Sequence, residues 1–126
     1  MNQLRTEPGL VDRAVLCERY ADDPALLEDL VELFRADAPR SLQILRDALA
    51  AGDARRVQRT AHKLRGSLLC FAAPAVVALA ERLESLGEEG KLGEAEELLM
   101  QLQSQVERLL AELSTLLPLP GLSSSR

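Results

Sequence analysis

Tryptophan is absent from the chain, tyrosine occurs once and phenylalanine twice. A core with so few rings must be filled by leucine, alanine and valine. Basic excess is also lacking. The net charge is −5, so the chain has no general hold on a phosphate backbone. The stacking aromatics of a single-strand binder are missing too. The two cysteines, Cys17 and Cys70, lie far apart and form no C-x-x-C. They fit reduced, partly buried thiols, and nothing supports a structural disulfide. No apolar run approaches the roughly 18 residues that span a bilayer. The first residues, "MNQLRTEPGLVDR", hold no apolar stretch of a secretory signal. A cytoplasmic location is expected by elimination. There is a single histidine, His62. A zinc site wants three or four ligands, so no metal is expected on this chain. No Gly-rich phosphate loop and no serine-nucleophile motif occur either.

Helix-forming chemistry is abundant. The 126 residues are 47% hydrophobic and 28% charged, a composition that suits one folded domain. Leucine and alanine dominate and long β-branched runs are absent, which points to an all-α fold. Residues 1–9 read as a flexible arm. "LVDRAVLCERYAD" predicts a short helix with Val11, Val15 and Leu16 on one side. In "DDPALLEDLVELFRAD", Asp23 is an N-cap and Pro24 the first helical residue. Leu27, Leu30, Val31 and Phe34 follow helical spacing. Pro39 is expected to kink or restart this helix. The pattern resumes at Leu42, Leu45 and Leu49, until Gly52 ends it and Asp53 caps the next. That helix is expected from about Ala54 to Phe71, and another from Pro74 to about Leu86. "GEEGKLG" reads as a loop. The last helix carries Ala95, Leu99, Leu102, Val106, Leu109, Leu113 and Leu116, a narrow seam. Residues 118–126 read as a disordered tail. The economical fold is an up-down antiparallel four-helix bundle over residues 10–117 with a short extra N-terminal helix.

On a wheel for 54–71, Val57, Ala61, Leu64, Leu68 and Phe71 make the core stripe. His62 sits about 140° from Val57, on the solvent side. Its helical neighbours are Gln58, Arg59, Arg65 and Gly66. Gly66 costs about 1 kcal/mol against alanine inside a helix. It also clears the space beside the imidazole. Arg65 offers a fork of donors suited to phosphoryl oxygens. Leu69 lies two turns on along the same side. The plain alternative is a solvated face with an ordinary surface histidine, with Gly66 there for tight helix packing.

The stretch "AHKLRGS", Ala61–Ser67, resembles the A-H-x-L-K-G-S signature of histidine-containing phosphotransfer (HPt) domains. "DDPALLEDLVELFRADAPRSLQILRDALAAGD" resembles the family's preceding helix and "ALAERLESLG" the following one, so the likeness spans about residues 10–115. It implies that His62 is the phosphorylated histidine and that Arg65 stands at the family's usual lysine, beside the phosphoryl group. Gly66 would clear room for an incoming receiver domain, and Ser67 is the small polar residue after it. Glu84 would hydrogen-bond the histidine ring. Gln58, Arg59, Ser67 and Leu69 are expected to meet the partner. Three departures stand out: Arg65 for lysine, Leu68 for a small residue, and Ala72 where a glycine often follows.

The resemblance further implies a phosphorelay carrier without its own kinase activity. It would exchange phosphate with the aspartate of a response-regulator receiver domain or a hybrid sensor kinase. Mg²⁺ would sit on the receiver, so no cofactor is expected here. Two alternatives stay open: the phosphorylated domain of a chemotaxis-type kinase, and a helical adaptor that binds receivers without transfer. A monomer is expected, with a dimer through the 95–116 seam as the other state.

Overall fold

The computed structural model describes residues 9–118. The remainder of the expected arm and tail, residues 1–8 and 119–126, lies outside them. Five α-helices follow one another: α1 Arg13–Arg19, α2 Pro24–Ala51, α3 Ala54–Leu68, α4 Pro74–Glu89 and α5 Ala95–Leu116. Single 3-10 turns occupy Leu69–Phe71 and Leu92–Glu94. No strand occurs among the described residues. The four long helices close a ring, with α2 and α4 each packed on both α3 and α5. Short connections make successive members antiparallel.

Three of the five helices begin at an aspartate cap. Asp12, Asp23 and Asp53 are N-caps whose side chains accept from Val15, Leu26 and Arg56 N–H groups respectively. Each such cap contributes about 1 kcal/mol. Gly52 and Gly90 end α2 and α4 in the left-handed region, at φ 69° and 72°.

The core holds the expected seams. Val57, Ala61, Leu64, Leu68 and Phe71 are buried, as are all seven residues named for α5. Leu98 joins them. Phe34 and Phe71 meet at 5.2 Å between ring centroids. Full burial of one leucine stabilises the fold by about 1.5–3 kcal/mol. Among the described residues no charged side chain is buried. The buried hydroxyl of Tyr20 donates to the Cys70 carbonyl at 2.8 Å. Its burial pushes the Tyr20 pKa above its ordinary value.

Four expectations need correction. Pro39 does not restart the helix, because α2 runs unbroken from Pro24 to Ala51. Pro39 and Arg35, whose carbonyl loses its helical donor, are both exposed, so water can serve that carbonyl. The buried residues on either side, Phe34, Ala38, Leu42 and Leu45, hold one seam through the proline. Val15 faces solvent at 38% exposure, while Val11 and Leu16 are buried. Those two flank the Asp12 cap at the positions of a hydrophobic staple. The helix expected to reach Phe71 ends at Leu68 and tightens into the 3-10 turn.

The last correction concerns "GEEGKLG". It is not a loop throughout: α4 continues through Gly87 to Glu89. Gly87 is buried against α3. A Cβ there would lie 2.7 Å from the Gln58 nitrogen and 2.9 Å from the Ala54 oxygen. This glycine marks a close helix crossing, which a sequence scan takes for a turn.

The short N-terminal helix braces one corner of the bundle. Asp12 N–H donates to the Ala72 carbonyl at 2.8 Å. Arg19 Nη1 donates to the Leu69 carbonyl at 2.7 Å. The Glu112 carboxylate on α5 accepts from the Leu10 and Val11 N–H groups at 2.8 and 3.2 Å. The segment from Leu10 onward is therefore tied to the turn that follows the histidine helix and to α5.

Candidate functional site

His62 sits in the middle of α3, opposite the buried Val57–Ala61–Leu64–Leu68 stripe. Its side chain is 61% exposed. Both its polar contacts fall on one ring nitrogen. Nδ1 lies 2.8 Å from Glu84 Oε2 and 3.2 Å from Arg65 Nη2. One nitrogen cannot donate to a carboxylate and accept from a guanidinium at once. An ionised carboxylate only accepts, so the short contact places the hydrogen on Nδ1. The lone pair is then left on Nε2, which no hydrogen bond reaches among the described residues. Glu84 reaches the ring from α4, because α3 and α4 pack tightly around Gly87, three residues further along.

Arg65, one turn after His62, turns toward the carboxylates of α4. Its Nε lies 3.2 Å from Glu84 Oε1, and its Nη1 lies 3.7 Å from Glu81 Oε2. The Nε atom is buried with no acceptor in line. Its approach to Glu84 is therefore an ion-pair contact and not a hydrogen bond. The guanidinium thus rests beside Nδ1 and two carboxylates, and it is not extended toward Nε2.

Gly66 is exposed, and a Cβ built on it would meet nothing within 4 Å. Helix packing inside the chain gives no reason for a glycine here. The packing glycine is Gly87. Arg59 and Ser67 are exposed beside the histidine, and Ser67 Oγ lies 3.5 Å from the Lys63 carbonyl. Gln58 is half-buried, its backbone pressed against Gly87. Leu69 is 51% exposed, at the start of the 3-10 turn. Leu68, in contrast, is fully buried. That position faces the core, so a large residue does not intrude on the face around His62. Ala72 adopts the left-handed conformation at φ 53°, which explains why glycine suits this turn.

The structure thus brings His62, Arg65 and Glu84 into one cluster, with Gly66, Arg59, Ser67 and Leu69 around it on the surface. Glu81 was missing from the sequence-level set. Its signal was its place one turn before Glu84 on the same helix face. The hollows between α2 and α5, and between α4 and α5, have linings that include none of these residues. The site is an exposed helix face, open to a macromolecule and without walls to enclose a small substrate.

Comparison with known families places the chain. The Hpt domain family matches residues 29–112. The chain belongs to the Hpt domain family. Its work is accordingly histidine phosphotransfer within two-component phosphorelays, and Hpt domains interact with response-regulator receivers. The bundle is similar to the crystal structure of histidine-containing phosphotransfer protein B from Pseudomonas aeruginosa PAO1. The TM-score is 0.80 and the identity 24%, over 86% of this chain and 95% of that one. That likeness covers a larger share of the chain than the family match does. A search of curated proteins found no match. No helix among the described residues is long and apolar enough to cross a membrane.

Proposed function

We propose that His62 is the phosphoryl carrier and that Nε2 is its reacting atom. The observation that carries this is the 2.8 Å contact between Nδ1 and Glu84 on an exposed ring. It fixes the tautomer that leaves Nε2 nucleophilic. The Nε2 lone pair attacks the phosphorus of an aspartyl phosphate on a receiver domain. The N–P bond forms as the P–O bond to the aspartate breaks, and the bonding pair leaves with the aspartate carboxylate. The Nδ1 hydrogen stays in place, and Glu84 stabilises the positive charge that the ring takes on. The reverse step returns phosphate to a receiver.

Arg65 offsets the charge of the phosphoryl group once it is in place, by charge-assisted hydrogen bonds. Gly66 leaves room for the receiver, and Arg59, Ser67, Leu69 and the edge at Gln58 form the contact around it. The chain contributes a nucleophile and a docking face. Mg²⁺ belongs to the receiver, and the phosphate comes from a partner, because this bundle has no kinase activity of its own. It acts as a monomer in the cytoplasm.

The test is incubation with a phosphorylated receiver domain and Mg²⁺, followed by assay of acid-labile phosphate. Wild type is expected to acquire it. His62→Gln is expected to fold as before and acquire none. Acid-labile phosphate retained in that variant would refute the assignment.

A further inference from the structure

Three contacts hold Arg65, and none is a well-made hydrogen bond. Nη2 faces Nδ1, whose hydrogen is already given to Glu84. Nε is buried and has no acceptor in line. Nη1 lies 3.7 Å from Glu81, beyond hydrogen-bond range. Yet Arg65 is only 28% exposed. A guanidinium seated this way is held by charge alone, and a buried N–H without an acceptor favours any move that gives it one. The holding charges are two carboxylates one turn apart on α4. Glu84 is occupied by the histidine. Glu81 contacts nothing but Arg65 in the cluster.

We propose that Glu81 is a positioning residue that sets how far His62 is loaded at equilibrium, by holding Arg65 back from the phosphoryl group. This rests on His62 being the carrier. When Nε2 gains the phosphoryl group, a cluster of anionic oxygens appears beside a guanidinium that lacks good acceptors. Arg65 leaves Glu81 and turns to those oxygens, with which it makes bidentate bonds. Whatever Glu81 contributes to the empty state is lost in the loaded one. Glu81 therefore shifts the balance toward the unloaded histidine, and so toward giving phosphate away. It touches neither the ring nor the phosphoryl group, and it works through Arg65.

The test is the equilibrium ratio of phosphohistidine to phosphoaspartate after mixing with a phosphorylated receiver, for wild type, Glu81→Gln, Arg65→Gln and the double variant. Glu81 is 54% exposed, so Glu81→Gln leaves the helix content unchanged. Breaking a partly exposed ion pair is expected to raise the ratio about two- to fivefold. In the Arg65→Gln background the same change is expected to leave the ratio where it is. An unchanged ratio in Glu81→Gln would overturn the proposal. An equal rise in the Arg65→Gln background would also overturn it, because the effect would then be direct repulsion. Wild type that takes up no phosphate on His62 would fail the carrier assignment itself, a result distinct from both.

Discussion

At the scale of single residues, two glycines divide two tasks. Gly66 has open space where a side chain would stand, and Gly87 has backbone atoms there. Gly66→Gln is therefore expected to slow transfer from a phosphorylated receiver at least about tenfold while moving stability by less than about 1 kcal/mol. Paired transfer kinetics and urea denaturation check this. Unchanged transfer with several receivers would remove Gly66 from the docking face. Much of this site was legible in the sequence. His62 and Gly66 fall on the polar side of a clear helical wheel, and the motif around them is distinctive. Glu84 came from resemblance alone, because no local pattern says which residue of the next helix meets the ring. Glu81 escaped for the same reason: its contact with Arg65 depends on how α4 is rotated against α3.

At the scale of helices, the caps and seams were legible because they are local. Asp23, Asp53 and Gly52 punctuate the chain by their own hydrogen bonding and backbone freedom. Two of the failures, at Pro39 and Gly87, are cases in which packing overrode a local signal. Pro39 is carried inside α2 by the seam on either side of it, and residue 87 inside α4 is a glycine because α3 comes too close for any Cβ. Gly87→Ala is accordingly expected to destabilise the bundle by about 1–3 kcal/mol, from backbone overlap at the α3–α4 crossing. It also loosens the Glu84 contact, since the same crossing brings Glu84 to His62. Chemical denaturation measures the first effect. A variant as stable as wild type would show that the crossing yields at no cost.

The turn after α3 predicts the opposite sign. Ala72 sits at φ 53° and ψ 46°, where a Cβ is strained by about 1–2 kcal/mol. Part of the relief is offset by the greater freedom of glycine in the unfolded chain. Ala72→Gly is expected to stabilise the protein by about 0.5–1 kcal/mol, read as a higher denaturation midpoint. A lower midpoint would contradict this account of the turn.

At the scale of the whole molecule, charge is unevenly spread. The chain carries net −5, yet α3 holds Arg55, Arg56, Arg59, Lys63 and Arg65 and no acidic residue. The first four are exposed. The histidine thus lies on a basic strip of an acidic protein. An incoming aspartyl phosphate is anionic, and the field of the strip orients its approach. The second-order rate of transfer is expected to fall about three- to tenfold between roughly 50 and 500 mM salt, as screening shortens the reach of these charges. The rate within the formed complex is expected to change little. Stopped-flow transfer at increasing receiver concentration separates the two. A salt-independent second-order rate would mean that apolar contact around Leu69 governs the encounter.

The central claim is that Glu84 holds the hydrogen on Nδ1 and leaves Nε2 of His62 to take the phosphoryl group. The most direct measurement is nitrogen–phosphorus NMR correlation on ¹⁵N-labelled protein loaded by a phosphorylated receiver. The account predicts phosphorus coupled to Nε2 of His62, with the hydrogen retained on Nδ1. Phosphorus coupled to Nδ1, or found on another residue, would contradict it.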